Sequence, residues 1–441
     1  MRIWFQGIEP MIEDFLFNYI GYIGIALLFL FMALSVPVFV SMGLAAFVAA
    51  LMIEDPFHAL RNFINTSWQG ASIFELVALP LFIFTGTIMQ RTDAGRDLFQ
   101  VTKAWAGSIP NSLGVATIIA CGIFAAISGS SVATAATVGL VAIPLLLEEK
   151  YGKARAGGFV AGGGTLGIII PPSIPLILYG VITETSIGQL FIGGVVPGII
   201  MMTLFGIYVC FSRPRVKVAH AMPMDEKLRI TLRSLGVVLL PVVIIAAIYT
   251  GIFTPTEVGA LSVIYVIALG LAQKRLSLAK IYNAALVATA TTTMLFMLIV
   301  FGQYFAHFLT FEQVPQAIAS AIIENASGFY AVTLMILAYI VLGMFLESAA
   351  MLLISIPIFF PVAMELGMDP IAFGIFAAIA MEIAQISPPI GVNLFTIHGI
   401  SKIDLWTLAR GALPFLLIQI AMLYAVYFFP EIVTWLPNQM K

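Results

Sequence analysis

Gly163 to Gly180 reads GGTLGIIIPPSIPLILYG, and Ile386 to Gly399 reads ISPPIGVNLFTIHG. Each stretch is apolar enough for a membrane interior, yet each contains a Pro-Pro pair. Proline has no backbone N–H and its ring collides with the preceding turn, so a helix must break at each pair. Broken backbone at bilayer depth exposes carbonyls and amides that lipid cannot satisfy. Such a break is tolerated only where protein, water or a bound ion supplies the missing partners. The two pairs stand 217 residues apart, which predicts two copies of one ion-binding unit.

Working outward, the 441 residues are 61% hydrophobic and 10% charged. A soluble domain of this length does not carry that balance, and apolar runs of roughly 17–25 residues recur, the length that crosses a hydrocarbon core. The fold class is therefore an all-α polytopic membrane protein. Segments are expected at 20–36 and 38–53, 75–90, a pair at 111–127 and 132–147, a broken 156–180, and 187–211. After a polar link come 234–253, 257–272, 284–308, a pair at 328–346 and 350–362, a broken 371–398, and 405–429. Residues 1–14 lack an apolar core and hold Glu9, Glu13 and Asp14, so they do not read as a cleavable signal peptide. With Trp4 and Phe5, residues 1–19 read as an interfacial segment. A net charge of −2 without a basic tract gives no sign of a nucleic-acid partner. Cys121 and Cys210 sit inside apolar runs, which argues against a disulfide framework or a metal knuckle.

The halves match at the offset of 217: Ser131 falls on Ser348, Pro144 on Pro361, Pro171 and Pro172 on Pro388 and Pro389, and Pro197 on Pro414. Chance would align roughly 0.6 proline pairs at one offset, against these four. The expected division is 20–213 as repeat 1, 214–233 as a cytoplasmic linker, 234–430 as repeat 2 and 431–441 as a tail.

Lys and Arg in short loops mark the cytoplasmic side. Loop 91–103 carries Arg91, Arg96 and Lys103, while its equivalent 308–320 carries none. Lys150, Lys153 and Arg155 in 148–155 have no basic counterpart in 365–372, nor do Arg213, Arg215 and Lys217 in 430–434. The bias reverses at 273–280, with Lys274, Arg275 and Lys280 against Arg61 alone in 56–63. Equivalent loops thus lie on opposite faces, so the repeats are read as inverted, an architecture of secondary transporters. By the same accounting 111–147 and 328–362 each enter and return on one side, as re-entrant hairpins tipped by Ser128-Gly129-Ser130-Ser131 and Glu347-Ser348-Ala349-Ala350. Both chain termini are expected outside.

Four stretches carry a resemblance: SGSSVATAATVG (Ser128–Gly139), GGTLGIIIPPS (Gly163–Ser173), TPTEVGA (Thr254–Ala260) and SPPIGVNLF (Ser387–Phe395). In this order, over roughly 20–430, they resemble the large membrane subunit of tripartite ATP-independent periplasmic (TRAP) transporters. The resemblance implies a sodium-coupled, elevator-type importer in the bacterial inner membrane. It implies three partners: a small four-helix membrane subunit, a periplasmic substrate-binding protein and a small carboxylate substrate. No extra amino-terminal helices precede the first repeat, so the small subunit is expected as a separate chain. Na⁺, in two or more sites, is the one cofactor expected, with no organic group.

A hard cation takes oxygen ligands, and the C-terminal ends of half-helices present unsatisfied carbonyls. One sodium site is expected from Ser128, Gly129, Ser131 and the break at Pro171 to Ser173. Its pseudo-symmetric partner would use Ser348, Ala349, Pro388, Pro389 and Gly391. Half-helix N-termini after each break offer N–H groups to a carboxylate, with Ser130, Thr134, Thr165, Ser173 and Asn393 as side-chain donors. For all of these the plainer alternative is close helix packing or intrahelical hydrogen bonding. Intramembrane acids are functional candidates because burying their charge is costly, so Glu347 and Glu382 are read as gating or coupling residues, the alternatives being a solvated tip for Glu347 and a hydrogen-bonded structural carboxylate for Glu382. Glu75, Glu184 and Glu257 read as helix caps, and His307 and His398 as structural.

Other classes lack their signatures. There is no GxxxxGK[ST] loop for a primary pump and no HExxH or paired-aspartate motif for an intramembrane protease. Inverted repeats with two re-entrant hairpins favour alternating access over a channel. The remaining rival is a stand-alone Na⁺- or H⁺-coupled dicarboxylate or anion carrier of related hairpin architecture.

Overall fold

The computed structural model describes residues 9–107, 109–212, 222–325, 328–389 and 391–440. Trp4, Phe5, Arg213, Arg215 and Lys217, used above, lie outside the described residues. Among those described, every regular element is a helix, and nine helices are long and apolar enough to cross a membrane.

The first half runs α1 (Glu9–Ala33), α2 (Val38–Ile53), α3 (Pro56–Ala71), a 3-10 turn at Phe74–Val77, α4 (Ala78–Arg91) and α5 (Ala94–Ala106). The hairpin follows as α6 (Ser112–Ser128) and α7 (Ser131–Glu148). The broken segment is α8 (Lys153–Gly164), α9 (Leu166–Ile169) and α10 (Ile174–Thr183), and α11 (Ile187–Phe211) closes the half. The second half gives α12 (Met224–Tyr249), α13 (Pro255–Ala272), α14 (Leu278–Phe311) and α15 (Val314–Asn325). Then come α16 (Gly328–Leu342), α17 (Ser348–Glu365), α18 (Pro370–Ile386), α19 (Val392–Ser401), α20 (Leu405–Phe428) and α21 (Glu431–Thr434).

Helix ends repeat at the sequence offset. α17 begins and ends 217 residues after α7, α13 begins 217 after α2, and α20 ends 217 after α11. Both Pro-Pro peptide bonds, Pro171-Pro172 and Pro388-Pro389, are cis. Several stretches read as loops are helical. Residues 56–63 open α3, and 94–106 form α5. Residues 314–325 form α15, and α12 begins at Met224, inside the expected linker. These helices carry polar residues, so hydropathy alone passes over them. For two of them the start is supported locally: Asp55 caps α3, accepting from Phe57 N–H at 3.0 Å, and Asp225 and Glu226 complement the dipole at the start of α12. The exposed stripe Phe57, Leu60, Ile64 and Trp68 on α3 suits a helix lying against lipid. Likewise α1 starts at Glu9 and runs unbroken through the expected boundary at residue 19.

The chain divides into two compact units that do not follow the expected division into repeats: 1–74, 293–335 and 349–367 in one, and 75–292, 336–348 and 368–441 in the other. In the first unit α1 packs on α2, and Phe63 stacks on Phe301 at 5.8 Å and meets Tyr304 edge-on at 5.1 Å. An apolar hollow of about 310 Å³ lies beside this aromatic cluster.

In the larger unit α8 packs on α20 and α4 on α13. Asn111, in left-handed backbone before α6, donates to the carbonyls of Val209 and Ser212, each at 2.9 Å. This ties the entry of the hairpin to the end of α11. Thr254 and Glu257 form the capping box of α13, with Thr254 N–H donating to Glu257 at 2.8 Å. Glu184 ends α10 in left-handed backbone, and His398 Nδ1 meets the Ile403 carbonyl at 2.7 Å. Arg275, after α13, is ion-paired with the buried Asp97 of α5. Removing one partner strands the other, so Arg275→Leu is expected to cost about 3 kcal/mol. The double variant Arg275→Leu with Asp97→Leu is expected to cost less. Thermal unfolding of the detergent-solubilised chain, followed by tryptophan fluorescence, measures both.

Candidate functional site

The site is built where the tip of the first hairpin lies on the first proline break. α6 ends at Ser128, Gly129 turns the chain at φ 61°, and Ser130 is extended and caps α7, its Oγ accepting from Ala133 N–H at 3.4 Å. Ile174 N–H, just past the break, points to the Gly129 carbonyl at 3.5 Å. A Cβ on Gly129 would lie 2.5 Å from the Pro172 carbonyl oxygen, and one on Gly167 of α9 would lie 2.5 Å from Ser131 N. Only glycine allows both approaches. Ser128, Gly129, Ser131, Pro171 and Ser173 are therefore brought to one buried place.

Ser128 Oγ lies 3.1 Å from Thr134 Oγ1, and Thr134 donates to the Ser130 carbonyl at 2.8 Å. Ser173 caps α10, accepting from Leu176 N–H at 3.5 Å. Thr165 is committed elsewhere: it donates to the Gly162 carbonyl at 2.6 Å and accepts from Gln419 Nε2 at 2.5 Å. Asn393 is fully buried on α19, which packs on α7, and neither of its side-chain polar atoms has a hydrogen-bond partner within the chain. An amide so placed is open to a ligand.

The second break is arranged differently. Pro388 and Pro389 are exposed, whereas Pro171 and Pro172 are buried. Gly391 (φ 51°) turns back on α18, where a Cβ would come within 2.9 Å of the Gln385 carbonyl and 3.0 Å of that of Ser387. Ser348 accepts a hydrogen bond from Gln385 of α18. Ala349, which follows it, is buried in the other unit, and Glu347 is exposed.

Glu382 is fully buried, and its Oε1 accepts from Ser131 Oγ at 2.5 Å while Oε2 has no hydrogen-bond partner within the chain. The tip thus gathers several oxygens: the Ser131 hydroxyl on Glu382, the Ser128 hydroxyl, and the Gly129 and Pro172 carbonyls where tip meets break. Such a donor set suits a small hard cation, and the dipole at the C-terminal end of α6 adds to it. Reading the acids alone missed Gln385 and Gln419, buried amides inside the apolar runs IAQISPP and LLIQIAM. Their signal was an amide where lipid or core demands an apolar residue.

Residues 25–432 match the family described as "Tripartite ATP-independent periplasmic transporter, DctM component". The chain belongs to that family. It is 38% identical over 403 residues to the C4-dicarboxylate TRAP transporter large permease protein DctM of Pseudomonas aeruginosa, covering 90% of this chain and 94% of the relative. It is 34% identical over 374 residues to the sialic acid TRAP transporter large permease protein SiaM of Vibrio cholerae, covering 84% and 87%. In fold it is similar to the YdaH transporter of Alcanivorax borkumensis, with a TM-score of 0.58 at 14% identity over 87% of this chain and 91% of that one. As a TRAP large permease it is a multi-pass membrane transport protein, and these relatives are permeases, not enzymes.

Proposed function

We propose that this permease imports a small carboxylate across the bacterial inner membrane, driven by sodium entry, with its termini on the periplasmic face. A periplasmic substrate-binding protein delivers the substrate and a small four-helix subunit completes the complex. The observation that carries this reading is the hairpin tip seated on a proline break beside a carboxylate with one unpaired oxygen. Na⁺ ligated by Ser128, Gly129, Ser131 and the carbonyls around Pro171 to Ser173 would satisfy these oxygens and neutralise Glu382.

A second ion is assigned to Ser348, Pro388, Pro389 and Gly391. The substrate carboxylate is assigned to the N-terminal end of α19, where backbone N–H groups without a side-chain cap and the unpaired Asn393 amide meet it. Ser130 and Thr134 flank that position, and Thr165 supports it through Gln419. Two inverted repeats would carry the site across the membrane in elevator fashion. Each sodium charge entering down 100 mV contributes about 2.3 kcal/mol. That the relatives named above take C4-dicarboxylates and sialic acid supports a carboxylate substrate for this chain too.

Uptake into proteoliposomes, with the binding protein supplied outside, tests the reading. Transport is expected to require an inward Na⁺ gradient, and uptake undiminished when K⁺ replaces Na⁺ would refute it. Ser131→Ala removes a hydroxyl ligand, so half-maximal uptake is expected to need about tenfold more Na⁺.

A further inference from the structure

Glu382 and Gln385 stand one turn apart on the same face of α18, and each grips a hairpin serine. Glu382 accepts from Ser131, the first residue of α7; Gln385 donates to Ser348, the first residue of α17. These two serines occupy equivalent positions, 217 residues apart, in the two repeats. All four residues lie in the larger unit and none is more than half-exposed: Glu382 and Gln385 are buried inside apolar surroundings, where water does not compete for their hydrogen bonds.

We propose that α18 is a crossbar joining the two hairpin tips, with Glu382 and Gln385 as positioning residues. A rigid helix holding one serine on each hairpin makes release of either tip loosen the other. Residues i and i+3 of a helix are neighbours on one face, so a shift or rotation of α18 displaces both grips together. This helix also ends at Ile386, directly before the second proline break. Opening at either tip is thereby linked to that break. The proposal rests on the transport reading above only for its consequence: ions or substrate bound at one tip bias the other, giving cooperative sodium activation.

Hydrogen–deuterium exchange on the full chain in lipid nanodiscs tests the crossbar without reference to transport. Gln385→Ala deletes the grip on Ser348 and leaves Ser131 and Glu382 intact. Exchange is expected to rise about fivefold at 336–348, the effect of one lost hydrogen bond on a local opening equilibrium, and at least about twofold at 126–134. The α8–α20 contact, at 153–164 and 405–420, should be unchanged. Ser348→Ala removes the same bond from its other end and should give the same pattern. A rise confined to 336–348, or one spread evenly over the unit, overturns the proposal. Sodium activation of uptake supplies a second readout: the Hill coefficient of the parent protein should exceed one and fall toward one in Gln385→Ala. Parent uptake that ignores sodium would refute the transport reading, while the exchange pattern would still decide the crossbar.

Discussion

Proteoliposomes carrying Gly129→Ala are expected to take up substrate about a hundredfold more slowly than the parent protein, with the chain still folded. Two effects act at this residue. Its φ of 61° is a left-handed conformation that costs an alanine about 1–2 kcal/mol. The added Cβ would also stand 2.5 Å from the Pro172 carbonyl oxygen, and neither partner is a flexible side chain. The tip must lift off the break, moving the Gly129 carbonyl and the Ser131 hydroxyl from the places where they would hold an ion. A displacement of about 1 Å in a preorganised site can cost two orders of magnitude in rate. Gly129→Asn tolerates the backbone conformation better but keeps the clash, so it should remain far below the parent. Initial uptake rates, alongside size-exclusion profiles to confirm folding, measure the effect; a rate within about twofold of the parent would remove the tip from the mechanism.

Gly411→Ala is expected to do something different, which is to prevent the folded chain from accumulating. At the crossing of α8 and α20 the two backbones touch. A Cβ on Gly411 would lie 1.8 Å from the Ala154 carbonyl oxygen, and one on Gly158 would lie 2.2 Å from the Gly411 carbonyl oxygen. Membrane helices associate through close packing of small residues, because lipid gives no hydrophobic drive to bring them together. Forcing these helices apart loosens α8 and, through it, the short α9 that carries Gly167 against the tip. A loss above about 4 kcal/mol is expected, the range of severe core disruption. Gly399→Ala is the matching control. Nothing lies within 4 Å of its Cβ position, so that variant should fold as well as the parent. Fluorescence-detected size exclusion of the solubilised chains compares the two directly.

The breaks, the hairpin turns and the offset of 217 were all legible in the sequence, because each depends on local chemistry. A proline lacks its donor wherever it stands, Ser-Gly-Ser-Ser cannot continue an apolar helix smoothly, and a span needs a fixed length of apolar residues. Membership of a multi-pass transporter family followed from those same local features. Polar helices such as α3 and α5 were less legible, since a hydropathy reading sees their charge before their periodicity.

What only the tertiary structure decided is which polar groups meet. Helices such as α18 and α20 are apolar nearly all round, so no amphipathic stripe says which way Glu382, Gln385 or Gln419 faces. Ser131 finds Glu382 across 251 residues, and Thr165 finds Gln419 across 254. The tertiary structure also made the two breaks unlike, burying Pro171 and Pro172 beneath a hairpin tip while leaving Pro388 and Pro389 exposed. A repeat in sequence fixes equivalent bends in the backbone, but the neighbours that cover each bend come from the rest of the chain, and those differ.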